Sequence, residues 1–225
     1  METRGVAYMK KIIAINGSPR DKWNTAQLVR EAAKAAENEG AEVKIYDLYK
    51  LEKFTGCISC FGCKLPTNLG RCVCRDGLTE VLDEIRSADG LILGTPNYLG
   101  DISAGLRSLY ERLVFQTLSY KTEPRSYNKY LIPVLFIMTS NCAEEFYPQV
   151  GYDTLLKKYE NTLSSMVGPV KFLIADNTLQ VNDYSRYNWT MFDPDAKKAR
   201  HDKVFPEKLA KAYELGKDMV TKPWA

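Results

Sequence analysis

Five of the six cysteines fall in one short stretch, as Cys57-x2-Cys60-x2-Cys63 followed by Cys72-x-Cys74. Thiolates at such spacing can wrap an iron–sulfur cluster. The same residues serve three other chemistries. Four of them can hold zinc, although two-residue gaps between three consecutive ligands suit iron–sulfur better. Cys57 and Cys60 can form a redox-active disulfide. All five can also remain reduced thiols in a plain loop. A secreted disulfide scaffold is a poorer match, because it would spread its cysteines over a smaller chain. Cys142 stands apart from the group.

A second set of residues suits an anion. Asn16-Gly17-Ser18-Pro19-Arg20 leads through Trp23 into Asn24-Thr25. A turn of this kind, opening a helix, offers backbone N–H groups and a positive helix end. Ser18, Asn24 and Thr25 add neutral donors, and Arg20 adds a charged fork suited to phosphate oxygens. There is no Gly-x-Gly and no Gly-Lys-Ser/Thr, which excludes the dinucleotide fingerprint and the P-loop. No cysteine precedes an arginine in the turn, so a thiolate phosphatase cradle is excluded too. Two further loops carry ligand-like chemistry. Gly94-Thr95-Pro96-Asn97-Tyr98-Leu99-Gly100 combines stiff, small and aromatic residues, and Tyr98 can face a planar ring. Thr139-Ser140-Asn141-Cys142 offers short polar groups for hydrogen bonding. Taken singly, each loop can also be an ordinary connection; three together on strand ends are more informative.

The elements that must position these loops alternate. Short apolar runs at Lys11–Ile15, Val43–Asp47, Gly90–Gly94, Val134–Met138 and Lys171–Ala175 read as strands. Helical patterns separate them at Thr25–Glu39 (closed by Gly40), Leu78–Ser87, Ser103–Thr117 and Gln149–Met166. A final helix is expected from the Asp193 cap and Pro194 to about Met219, kinked or split by Pro206. Pro133 should sit at the start of its strand. Five strands alternating with helices argue for an α/β fold with a parallel sheet covered on both faces. In such sheets ligands bind beyond the carboxyl ends of the strands, where the three loops fall.

The remaining features bound the function classes. The 225 residues allow one substantial core, with no repeat, linker or low-complexity tract. We expect a single domain over 1–225, with a ragged N-terminus at 1–9, a Cys-rich loop at 56–75 and a polar-aromatic excursion at 176–193. Hydrophobic residues make up 45% and charged residues 26%, and the net charge of +3 is not clustered. Neither nucleic acid nor a membrane is expected as a partner. The longest apolar stretch, Leu131 to Met138, is too short to span a bilayer. Met1 to Met9 lack the run and cleavage site of a signal peptide, which points to the cytoplasm. His201 reads as a solvated residue, and Tyr184, Tyr187 and Trp189 as a dimer seam.

The phosphate-type turn with Asn24-Thr25, and Gly94–Gly100 leading into Ser103-Ala104-Gly105-Leu106-Arg107, resemble the NADPH-dependent FMN reductase and iron–sulfur flavoprotein branch of the flavodoxin-like superfamily. The resemblance spans roughly Lys10 to Ile174. It implies a flavodoxin-like three-layer sandwich with strand order 2-1-3-4-5, and FMN at the strand ends. The FMN phosphate loop corresponds to Ser18, Arg20, Asn24 and Thr25. The isoalloxazine loop corresponds to Pro96, Asn97, Tyr98, Leu99 and Gly100. A third loop matches less closely through Thr139, Ser140 and Asn141. One departure is Trp23, where the family usually has glycine; Trp resists a positive φ. The cysteine pattern is similar to that of iron–sulfur flavoproteins, with Cys57, Cys60, Cys63 and Cys72 as ligands of a [4Fe-4S] cluster and Cys74 as a second candidate for the fourth.

The expected function is an FMN-dependent NAD(P)H oxidoreductase. NAD(P)H is the reductant, and a quinone, nitroaromatic or free flavin is the acceptor. No catalytic side chain is required, because the cofactor carries the chemistry. The alternative is an electron carrier fed by ferredoxin through the cluster. A third reading is a non-catalytic, zinc-stabilised module. The resemblance also implies a homodimer or homotetramer.

Overall fold

The structure is a computed structural model, and it describes residues 8–224. The expected ragged segment therefore lies mostly outside the described residues.

Five parallel strands form the sheet: β1 (Lys11–Asn16), β2 (Glu42–Asp47), β3 (Gly90–Tyr98), β5 (Val134–Thr139) and β6 (Val170–Ala175). A two-residue strand, β4 (Asp101–Ile102), pairs antiparallel with the end of β3. The spatial order is β2-β1-β3-β5-β6. With β4 set aside, this is the expected 2-1-3-4-5 arrangement. The helices are α1 (Asn24–Asn38), α2 (Thr79–Arg86), α3 (Ala104–Thr117), α4 (Tyr147–Val150), α5 (Tyr152–Met166) and α6 (Pro194–Thr221).

Alternation along the strands builds two cores. Ile13, Ile15, Leu91, Leu93 and Phe136 face α2, α3 and α5, while Ile12, Ala14, Ile92, Leu135 and Ile137 face α1 and α6. A sheet buried on both faces explains why these strands read as continuous apolar runs. Gly216 lets α6 lie directly on α1, since a Cβ there would strike the Ala32 backbone.

Three expectations are corrected. First, β3 does not stop at Gly94; it continues to Tyr98 and turns into β4. Leu99 and Gly100 have φ of 54° and 82°, and positive φ at both central residues is what a tight hairpin of matching twist requires. Leu-Gly is a weak signal for that turn, so the hairpin was not legible. Second, Pro206 does not split α6, whose packing on α1 holds the helix through the missing N–H. Third, the helix expected from Gln149 is broken at Gly151 (φ 76°) into α4 and α5. Pro133 does precede its strand, and its carbonyl accepts from Leu91 N. Among the described residues no helix is long and apolar enough to cross a membrane.

Candidate functional site

Parallel strands deliver their following loops to one edge, and here that edge carries all three predicted loops. The β1–α1 loop is drawn against the β3 end by small residues. A Cβ at Gly17 would sit 2.8 Å from the Gly94 carbonyl oxygen and 2.9 Å from Leu106 Cβ. The same contact is pinned by Ser103, which caps α3 by accepting from Leu106 N and donates to the Gly17 carbonyl at 2.5 Å. Thr95 Oγ1 accepts from Ser103 N at 3.0 Å.

Helix α1 begins with Trp23 at the cap position and no side-chain cap. The first N–H groups of a helix lack intrahelical partners, and here they sit at a buried end: Asn24 and Thr25 are 5% and 2% exposed. Such an end suits an anion. Trp23 has φ −100° and ψ −173°, an extended conformation open to any residue, so the glycine-to-Trp departure does not disturb the backbone.

Four of the phosphate-loop candidates lie together, though not all are free. Ser18 is buried, and its Oγ accepts from Arg20 N. Thr25 Oγ1 and Thr139 Oγ1 share a buried hydrogen bond of 2.7 Å, which joins the first loop to the third. Arg20 donates to the Gln180 carbonyl, and Asn24 and Trp23 both donate to the Leu179 carbonyl. Arg20 also lies 3.9 Å over the Trp23 ring. Burial lowers the Arg20 pKa, and Tyr98 and Tyr187 are close enough to oppose that shift. The excursion at 176–193 therefore folds over its own chain's β1–α1 loop. Its aromatic residues form one cluster: Tyr187 stacks on Trp189 with centroids 4.5 Å apart, and Tyr184 and Phe192 meet Trp189 edge-on.

The hairpin places Pro96 in the core, Asn97 half-buried, and Tyr98 and Leu99 in solvent. Asn97 Oδ1 accepts from Gly100 N, whereas its buried Nδ2 has no hydrogen-bond partner. Thr139 and Ser140 are buried and Asn141 is exposed. A groove of about 750 Å³ opens between the hairpin, the loop after β5 and the start of α6. Lys197, which the sequence reading missed, lies in that groove. One signal was available, because a lysine in the first turn of a helix opposes the helix dipole.

An orphaned amide donor, an uncapped and buried helix start, and two loops tied by Thr25 and Thr139 fit a phosphate-bearing planar cofactor such as FMN.

The five clustered cysteines line one small void of about 20 Å³ beneath α3. All are free thiols, and burial pushes the thiols of Cys63 and Cys74 upward. Among the described residues no group of three or more His, Cys, Asp or Glu side chains converges to hold a metal ion. The donor chemistry suits a soft metal, but the thiols as placed do not form a ligand set. Arg112 of α3 pins this loop: it pairs with both carboxylate oxygens of Asp76 at 2.6 Å and donates to the carbonyls of Cys74 and Thr55. His201 is half-buried and stacked on Phe205 rather than solvated.

Comparison with known proteins agrees with this architecture. An iron–sulfur flavoprotein of Methanocaldococcus jannaschii is 43% identical over 102 residues, 45% of this chain and 51% of that protein. One from Archaeoglobus fulgidus is 33% identical over 104 residues, 45% of this chain and 48% of that protein. The chain thus spans about half the length of the curated relatives it matches. Among solved structures, an NAD(P)H:quinone oxidoreductase from Methanothermobacter marburgensis superposes with a TM-score of 0.69 at 15% identity, covering 95% of this chain and 100% of that one. An FMN-dependent NADH-azoreductase from Bacillus anthracis, solved with FMN, gives 0.59 at 16% identity, covering 94% and 99%. At these identities the likeness is one of fold. The profile of the NADPH-dependent FMN reductase family matches residues 10–144, more than half of the chain, and the chain belongs to that family.

Proposed function

We propose that this chain binds FMN at the carboxyl ends of β1, β3 and β5 and works as an NAD(P)H oxidoreductase that reduces a small acceptor such as a quinone, a nitroaromatic or a flavin. The observation that carries this reading is the uncapped, buried start of α1 tied through Thr25–Thr139 to the loop after β5. Family membership and the names of the structural neighbours support it.

When bound, the flavin supplies hydride acceptance from NAD(P)H and onward electron transfer. With a quinone, NAD(P)H, a proton and the quinone give NAD(P)+ and the hydroquinone. The chain's own residues bind and orient. N–H groups at the start of α1, with Ser18 and Arg20, hold the phosphate. Asn97 Nδ2 is a donor in search of an acceptor, and Thr139, Ser140 and Asn141 offer polar contacts beside it. Tyr98 can flank the ring. The segment 176–193 braces this edge through the Leu179 and Gln180 carbonyls. Replacing Ser18 and Thr25 together by Ala should weaken FMN at least about tenfold, the worth of one to two charge-assisted hydrogen bonds. Unchanged affinity in a titration of the flavin-free protein would place the phosphate elsewhere.

A second reading, an iron–sulfur electron carrier served by ferredoxin, draws on the shared cysteine cavity and the names of the sequence relatives. It requires residues 56–75 to rearrange around Cys57, Cys60, Cys63 and Cys72. Iron and acid-labile sulfide in anaerobically purified protein would support it, and their absence would remove it. A homodimer or homotetramer, the assembly that the family resemblance implies, would be tested by light scattering.

A further inference from the structure

The ammonium of Lys197 is placed where a cation is least at home. It is the fourth residue of α6, close to the positive end of a 28-residue helix. The residue is 9% exposed. Nζ donates to Asn141 Oδ1 at 2.5 Å and to Asn177 Oδ1, both neutral amides. An ammonium has three N–H donors, so one is left over. Among the described residues no carboxylate lies within ion-pair distance of it. Asp176 is already paired with Arg200 and Lys208, and Asp193 spends its carboxylate on the N–H groups that open α6. Burial draws the Lys197 pKa down and Arg200 adds to that, while the Asp176 carboxylate, not in contact, opposes both. A buried charge without a counter-charge is costly.

The groove around Lys197 supplies the rest of a binding site. Leu99, Phe146, Tyr152, Met191 and Phe192 give it apolar and aromatic walls. The Phe192 ring centre is 5.5 Å from the ammonium. At one edge stands Asn97, the residue whose Nδ2 is offered to the flavin, so the groove adjoins the flavin loop. Apolar walls around a few convergent donors are the usual make-up of a small-molecule site.

We propose that this groove is the acceptor site of the enzyme and that it selects planar aromatic molecules carrying an acidic oxygen, which Lys197 neutralises. The acceptor role rests on the FMN reading above, whereas the preference for an organic anion does not. Lys197 completes a pair only when such a ligand arrives, and Asn141 links the site to the loop assigned to the flavin.

The test compares 2-naphthoate with its neutral isostere 2-naphthamide, neither of which reacts with thiols or flavin. Affinities are measured calorimetrically on the full chain, with FMN bound and without it. The wild type should prefer the anion by about tenfold, as expected for one charge-assisted hydrogen bond. Lys197→Met should erase that preference while leaving 2-naphthamide within about twofold, and Lys197→Arg should retain part of it. If the Met variant does not fold, Lys197→Gln carries the same prediction. Equal affinities for the two probes, or a preference that survives removal of the ammonium, would overturn the proposal. So would competition between 2-naphthoate and FMN, which would make the groove the flavin's own. A chain that took up no FMN would refute the functional reading instead, and anion selectivity in the flavin-free protein would still be read separately.

Discussion

Replacing Arg112 by Met should be among the most damaging single changes outside the cores. Its guanidinium is 1% exposed and faces an Asp76 carboxylate that is itself 13% exposed. It also satisfies the carbonyls of Cys74 and Thr55. Removing it leaves a buried carboxylate without its counter-charge, which costs about 3–5 kcal/mol. For a chain of this size that corresponds to a fall in Tm of about 6–20 °C. The loss should depend on pH. Burial pushes the Asp76 carboxyl up, but the hydrogen bonds from Arg112, Leu78 N and Thr55 N outweigh it and hold the group below the usual range. A depressed pKa contributes stability that is full above the unfolded value of about 3.9 and is lost as pH falls through the folded one. The gap between wild type and variant should therefore be widest near neutral pH and close on acidification. Adding Asp76→Asn removes the stranded charge and keeps an acceptor for Leu78 N, so the double variant should recover about 1–2 kcal/mol. Thermal unfolding followed by circular dichroism at several pH values reads all three. A single variant within about 1 kcal/mol of wild type, or a penalty independent of pH, would refute the reasoning.

The hairpin and the sheet offer two further tests. Leu99 holds a left-handed φ with its side chain fully in solvent; Leu99→Gly should raise stability by about 0.5–1 kcal/mol and weaken FMN if the leucine contacts the ring. A chemical denaturation curve that shifts the other way would show the turn to be unstrained. At Gly94 an added Cβ would run into Val29 Cγ2 and lie 3.2 Å from Thr25 Cγ2. Gly94→Ala should cost about 1–3 kcal/mol and reduce FMN affinity through the displaced α1; stability lost with affinity intact would separate the two effects.

The frame of this molecule was legible because its signals are local. Apolar runs such as Ile12–Ile15 mark strands buried on both faces, and the Asp193-Pro194 pair marks a helix start that the structure bears out. The three loops were legible as strand-end loops for the same reason. What escaped is set by distant contacts. Nothing near Leu179 and Gln180 foretells that their carbonyls engage Asn24 and Arg20, some 155–160 residues earlier. Lys197 looked like one more charge on a polar helix until Asn141 and Asn177 closed on it. The β3–β4 hairpin was hidden because its turn uses Leu where Asn or Gly would have announced it. The cysteines show the opposite limit: their spacing suggests convergence, while the structure gathers them on one void without pointing them at one centre.

FMN binding and its reduction are tested most directly by saturating the purified chain with FMN, removing the excess and adding NADPH or NADH without oxygen while recording the visible spectrum. We expect one flavin retained per chain, with bands that bleach on reductant and return when a quinone is added. A chain that retains no flavin, or retains it in a form neither nicotinamide can reduce, would contradict this expectation.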